Sequence, residues 1–247
     1  MTAPVLRADQ IVAGYEPGLP IVRGASMVAR AGEITAILGP NGAGKSSLIK
    51  AIAGLVPVWS GSVVLAGADI TELPAHRRIR LGLAFVPQTE NVFAGMSVEE
   101  NLKIAVHILP KAARAQRIEA TFTLFADLAR QRTLPAGRLS GGQRQMLAAA
   151  RALAVEPQVL MLDEPSAGLS PKFVASVFAK LVEIRQTGVA IVLVEQNVHA
   201  ALAIADTAYV LVEGENRHHG SARDLANDPD VAALYFGGHG AQPEQAA

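Results

Sequence analysis

Eight consecutive residues constrain the fold of this chain more than any others: Gly39-Pro40-Asn41-Gly42-Ala43-Gly44-Lys45-Ser46. They match G-x-x-x-x-G-K-[ST], directly after a short apolar run at 34–38 and directly before a helical pattern at 47–53. In that context the glycines let the backbone curl so that successive N–H groups face one point, toward which a helix N-terminus also points. Lys45 adds positive charge there, and Ser46 offers a hydroxyl to Mg²⁺. An ordinary glycine-rich strand-to-helix turn has no use for Lys45 and Ser46 together. The stretch from Gly39 through Ser46, with Ser47 behind it, is therefore expected to hold the phosphates of a nucleotide.

The surrounding pattern is that of an α/β protein. Short runs rich in Val, Ile and Leu at 33–38, 83–86, 159–162, 189–194 and 208–212 alternate with longer helical patterns, as βαβ units and a mostly parallel sheet require. Strands buried on both faces read as continuous apolar runs of this kind. Sites in open α/β sheets lie at the carboxyl ends of the strands, where Gly39, Gln88, Asp163 and Glu195 fall. Four separate segments thus point at one crevice.

Between residues 90 and 138 the pattern turns helical, with Ser97-Val98-Glu99-Glu100 fitting a capping box and residues 111–130 carrying apolar positions at helical spacing. Before about residue 33, and around Ile70, short antiparallel strands are expected. The chain of 247 residues then reads as one domain: a core of 1–89 and 151–236, a helical insertion at about 90–150, and a tail at 237–247 expected to fray. Trp59 is expected to cover an apolar edge beside a turn at Ser60-Gly61. His218 and His219, adjacent on a strand, are expected to point to opposite faces.

Composition narrows the partners. Lys+Arg and Asp+Glu both number 22, which leaves no charge excess with which to coat a nucleic acid. Zero cysteines exclude disulfides and cysteine-ligated metals. No apolar run approaches the about 20 residues that span a bilayer, and the first residues lack the pattern of a secretory signal. The expectation is a cytosolic protein that meets a membrane only through a partner.

Asp163 closes an apolar run and is followed by Glu164 and Pro165, so one carboxylate can join the Mg²⁺ shell while the next reaches the water that attacks the terminal phosphate. Kinases, GTPases and many ATPases share these features. The choice among them comes from Leu139-Ser140-Gly141-Gly142-Gln143. Ser140 and Gln143 fit a capping box, and a glycine-opened helix N-terminus is itself an anion site.

With the phosphate loop and the carboxylate strand, this string resembles the signature of the ATP-binding-cassette (ABC) ATPases, and the resemblance spans residues 6–236. It implies a P-loop NTPase (RecA-like) core with a parallel sheet, an N-terminal antiparallel β subdomain and an inserted α-helical subdomain. It also implies hydrolysis of ATP with Mg²⁺ by a dimer, with Ser140, Gly141, Gly142 and Gln143 closing over the ATP of a second ABC ATPase subunit. Tyr15 resembles the aromatic that stacks on adenine, and Gln88 the glutamine that touches Mg²⁺ or the attacking water. Residues 89–98 would meet a membrane permease subunit on the cytoplasmic face.

Two positions depart from the usual pattern. Gln196 stands where most members carry a histidine that bonds the γ-phosphate, so the site keeps a donor and loses a titratable group. Ser170, before Pro171, replaces an aspartate; as an N-cap it is expected to serve equally well. Glu195-Gln196-Asn197 and Ser166-Ala167-Gly168-Leu169-Ser170-Pro171 look like the branch that powers branched-chain amino acid importers, where two different cassettes pair and a solute-binding protein delivers the cargo. The alternatives are an export cassette or a soluble ABC ATPase acting on DNA or ribosomes. His199, three positions beyond Gln196, reads as a surface or packing residue.

Overall fold

The computed structural model describes residues 3–236, whose strands form two sheets. Strand β1 (Pro4–Ala13) pairs antiparallel with β2 (Val22–Arg30). Then follow β3 (Ile34–Leu38) and helix α1 (Lys45–Ala53), which belong to the other layer. β4 (Val58–Leu65) returns to the free edge of β1, and β5 (Ala68–Asp69) closes a four-stranded sheet of order β2-β1-β4-β5. In β1, Leu6, Ala8, Ile11 and Ala13 are fully buried, so one face packs on the core and the other meets solvent.

The antiparallel strands anticipated near the N-terminus are present, but Ser60-Gly61 is not a turn. Both residues lie inside β4 at an irregularity opposite β1, where Gln10 (φ 47°) and Gly61 (φ 92°) adopt left-handed backbone. A Cβ at Gly61 would lie 2.4 Å from the Gln10 carbonyl oxygen. Left-handed backbone and this close approach together predict that Gly61→Ala destabilises the fold by about 2–4 kcal/mol, read as a lowered thermal midpoint. An unchanged midpoint would show that the bulge can relax. Trp59 sits over Gly14, where a Cβ would come 2.8 Å from the indole ring.

The chain returns to the second layer with α2 (Ala75–Arg80) and β6 (Leu83–Val86). From there to the next strand every regular element is helical: α3 (Val98–Ala105), α4 (Lys111–Leu124), α5 (Ala126–Ala129) and α6 (Gly141–Leu153), with two short 3₁₀ turns. The chain continues through β7 (Val159–Asp163), α7 (Pro171–Arg185), β8 (Ala190–Val194), α8 (Val198–Leu202), β9 (Thr207–Val212), β10 (Glu215–Ser221), α9 (Ala222–Ala226) and α10 (Pro229–Phe236). These strands and β3 form a sheet of order β10-β9-β3-β8-β7-β6, parallel except for the antiparallel edge strand β10. The expected tail at 237–247 lies outside the described residues.

Every residue of β3, β7 and β8 is buried, the burial their unbroken apolar sequences require. Successive side chains alternate between two hydrophobic clusters: Leu160 and Leu162 face α3, α6 and α7, while Val159 and Met161 face α1 and the antiparallel sheet.

The capping box at α3 forms as the sequence indicates, with Glu100 N–H on Ser97 Oγ at 3.2 Å and Ser97 N–H on Glu100 Oε2 at 2.8 Å. The helix expected over 111–130 is instead broken at Phe125 (φ −116°, ψ 65°). There the Phe125 ring turns into the core, and the Leu124 carbonyl accepts from Lys180 Nζ of α7 at 2.9 Å.

Candidate active site

Because β3, β8, β7 and β6 are neighbours in one parallel sheet, their carboxyl ends form a row. Gly39 follows β3, Glu195 follows β8, Asp163 ends β7, and Gln88 lies two residues past β6.

The phosphate loop is held by its glycines. Gly39 (φ 151°) passes so near β9 that a Cβ would lie 2.3 Å from the Leu211 carbonyl oxygen. Gly44 (φ 94°) is the N-cap of α1 and leaves no room for a side chain to accept the first amides. Those amides, at 45–47, have no acceptor within the helix and are the donors a bound anion would take. Pro40, Asn41 and Gly42 are exposed at the crest, whereas Ala43 and Ser47 are buried beneath it. Gly214 N–H bonds the Ala43 carbonyl at 3.0 Å and ties the crest to the β9–β10 turn.

Lys45 is only 4% exposed, and its Nζ donates to the carbonyls of Gly39 (2.8 Å) and Pro40 (3.0 Å). Burial pulls its pKa down, opposed by the carboxylates of Glu164, Asp163 and Glu195. Ser46 Oγ donates to Asp163 Oδ1 at 2.7 Å. Burial pushes the Asp163 carboxyl up, while the Ser46 hydrogen bond pulls it down. Hydroxyl and carboxylate, 117 residues apart, thus meet beside the loop. Oxygen donors of this kind suit a hard cation such as Mg²⁺.

Glu164 follows with φ 48°, a left-handed conformation that costs about 1–3 kcal/mol for a non-glycine residue and marks a constrained position. Its amide bonds the Val194 carbonyl at 2.9 Å. Gln88 Nε2 donates to Glu164 Oε2 at 2.9 Å, and Gln196 Nε2 donates to both carboxylate oxygens at 2.8 Å. Gln88, Glu164 and Gln196 are thereby one hydrogen-bonded group. From sequence, Glu195 lies at the crevice without a role and Ser166 is only part of a branch-like string. The two are joined, with Ser166 N–H and Oγ donating to the Glu195 carboxylate at 3.0 and 2.7 Å.

Ser140 caps α6 through the anticipated capping box, with Gln143 N–H on Ser140 Oγ at 3.3 Å and Ser140 N–H on Gln143 Oε1 at 2.9 Å. Gly141 and Gly142 press against Leu169 and Phe173, where a Cβ would come within 3.0 and 2.6 Å of the side chains. Among the described residues, no hydrogen bond joins 140–143 to the phosphate loop of the same chain. Tyr15 lies apart as well, 56% exposed on the β1–β2 connection. That connection returns to the loop at Ile21, whose carbonyl oxygen would lie 3.1 Å from a Cβ at Gly44.

One local expectation fails. Ser170 occupies the N-cap position of α7 with Pro171 beside it, but its hydroxyl makes no capping hydrogen bond. The Ser170 backbone carbonyl accepts from Phe173 and Val174 N–H (2.9 and 3.0 Å), so the tight first turn already uses the amide a side-chain cap would take. His218 and His219 diverge as expected, one 3.8 Å from Asp228 and the other stacked on Tyr209.

A lysine-bearing phosphate loop beside paired strand-end carboxylates gives the protein the P-loop nucleotide-binding fold. The ABC transporter family matches residues 22–167, more than half of the chain, and the chain belongs to that family, whose ATP-binding subunits hydrolyse ATP. It is 46% identical to the "Probable branched-chain amino acid transport ATP-binding protein LivF" of Archaeoglobus fulgidus, over 94% of this chain and 99% of that protein. The "High-affinity branched-chain amino acid transport ATP-binding protein BraG" of Pseudomonas aeruginosa is 37% identical over 92% and 97% of the two chains. The "Lipopolysaccharide export system ATP-binding protein LptB" of Escherichia coli strain K12 is 32% identical over 94% and 97%. Among solved structures, the ADP conformation of an ATP-binding cassette of an ABC transporter matches with a TM-score of 0.84 and 28% identity, over 96% of this chain and all of that one.

Proposed function

We propose that this chain is the ATP-hydrolysing subunit of an importer for branched-chain amino acids or a related small solute. The observation that carries this reading is the 46% identity, over 94% of the chain, to a relative named for branched-chain amino acid transport, against 32% for one named for lipopolysaccharide export.

In this reading residues 39–47 hold the phosphates, and Tyr15 offers its exposed ring to adenine. Ser46, Asp163 and Gln88 would hold Mg²⁺, which when bound neutralises phosphate charge. Glu164 accepts a proton from the attacking water, with Gln88 and Gln196 aiming its carboxylate. Residues 140–143 face the nucleotide of a second cassette, a reading supported by the lack, among the described residues, of any hydrogen bond from them to this chain's own phosphate loop.

The helical lobe, residues 90–150, serves as the arm that presents this signature. A groove of about 320 Å³ between lobe and core, with Ile79, Phe85, Ala105, Ile108 and Arg151 in its lining, would receive a membrane permease subunit. Exposed Phe93, Ile104 and Ile108 would extend that contact. Among the described residues no helix is long and apolar enough to cross a membrane. The protein would sit peripherally on the cytoplasmic face and meet a solute-binding protein only indirectly, through the permease.

Deleting the gene in its host and following radiolabelled leucine, isoleucine and valine tests the assignment. Uptake of the amino acid that the system carries is expected to be lost, since the permease would have no energy source. Unchanged uptake together with a defect in envelope assembly would favour the export reading instead, which the lipopolysaccharide export relative makes the main alternative.

A further inference from the structure

Three consecutive residues at the end of β8 hold three different parts of the turn that follows β7. The Val194 carbonyl accepts the Glu164 amide at 2.9 Å. The Glu195 carboxylate accepts from Ser166 twice, the amide on one oxygen at 3.0 Å and the hydroxyl on the other at 2.7 Å. The Gln196 amide donates to both oxygens of the Glu164 side chain at 2.8 Å.

The turn they hold has little support of its own. Glu164 is in left-handed backbone, Pro165 has no N–H, and the turn's own backbone bonds run from Ala167 N–H to the Glu164 carbonyl and from Leu169 N–H to the Ser166 carbonyl, both at 3.1 Å. A residue in such a conformation persists only where its surroundings over-determine it. Glu195 is 1% exposed, and a carboxylate taken so far from water keeps its charge only through hydrogen bonds. Burial pushes the Glu195 carboxyl up, opposed by hydrogen bonds from Ser166 and from the backbone of Asn197 and Gln196. Pairing of β7 with β8 does not require this side chain, since the strands are already in parallel register from Val159 opposite Ala190 to Asp163 opposite Val194.

We infer that Glu195 is a positioning residue for hydrolysis, which by gripping Ser166 fixes the far end of the Glu164 turn and so presents the Glu164 carboxylate where Gln196 can hold it. The inference rests on the reading of Glu164 as the group that receives the proton from water. Glu195 acts through Ser166 and Glu164 and touches no substrate.

The test compares wild type, Glu195→Ala and Glu195→Gln in the full chain. Glu195→Ala is expected to lower kcat by about ten- to a hundredfold, the scale of a small misplacement of a reacting group, while KM for ATP stays within about threefold. Glu195→Gln keeps an oxygen for the Ser166 amide and adds an NH₂ that can meet the Ser166 hydroxyl, so kcat should return to within about threefold of wild type. In parallel, hydrogen exchange at the Ser166 amide should accelerate at least about tenfold in Glu195→Ala, with β7 amides unchanged.

Wild-type kcat in Glu195→Ala, or unaltered exchange at Ser166, would overturn the inference. So would failure of Glu195→Gln to rescue, or a loss shared by kcat, KM and β7 protection, which is the signature of a merely structural role. Absence of turnover in wild type would instead defeat the underlying hydrolase reading, and the exchange measurement would still decide whether Glu195 holds the turn.

Discussion

Replacing Glu164 with glutamine is expected to slow ATP turnover by about 10²–10⁴-fold, or 3–5 kcal/mol of barrier, and to leave nucleotide binding within a few-fold of wild type. The substitution preserves size and leaves Lys45, Ser46 and Asp163 untouched, so the groups proposed to hold phosphate and Mg²⁺ persist. What disappears is the basic oxygen. Gln88 and Gln196 both donate to the carboxylate, and a glutamine amide can satisfy only part of that donor set. Steady-state phosphate release beside titration with a fluorescent ATP analogue checks both halves. Turnover above about a tenth of wild type would remove Glu164 from the role of base.

Lys45→Met should have the second largest effect, weakening nucleotide binding by about ten- to a hundredfold, the scale of one or two hydrogen bonds to a charged group. In the unliganded protein it relieves the burial that pulls the Lys45 pKa down, and it costs Glu164, Asp163 and Glu195 the attraction of a nearby cation, a deficit that depends on their charge. The pH dependence has a definite sign. Burial already raises the Asp163 carboxyl, and removing Lys45 raises it further, so the folded variant binds a proton more readily than the unfolded chain. The stability deficit should therefore be smallest at acidic pH and grow as pH rises through the folded-state value. Calorimetric nucleotide titration and denaturant melts at two pH values check this. Affinity within about threefold of wild type would contradict the placement of Lys45 among the phosphate-binding groups.

What the sequence makes legible is what depends on neighbours in the chain. The buried strands, the capping boxes at Ser97 and Ser140, and the phosphate loop each rest on a pattern of a few consecutive residues. Several features fixed by distant partners were not legible. The Glu195 grip on Ser166 joins residues 29 apart, and Lys180 accompanies the helix break at Phe125 by bonding a carbonyl 56 residues away. The bulge at Gly61 exists because β1 brings Gln10 against it, and a Ser-Gly pair by itself reads equally well as a turn. At Ser170 the motif gave the right position for the helix start but not which atom caps it.

The glutamine at 196 shows the same division. From sequence the position keeps a donor and loses a titratable group; what the fold adds is the acceptor, since the Gln196 amide lies on the Glu164 carboxylate.

The most direct test is phosphate release from ATP by the purified chain, alone and with a paired second cassette, before and after chelation of Mg²⁺. The account predicts saturable release that stops on chelation, resumes when Mg²⁺ is restored, and falls by about 10²–10⁴-fold in Glu164→Gln. ATP bound without release in either assembly, or release unaffected by chelation and by Glu164→Gln, would contradict it.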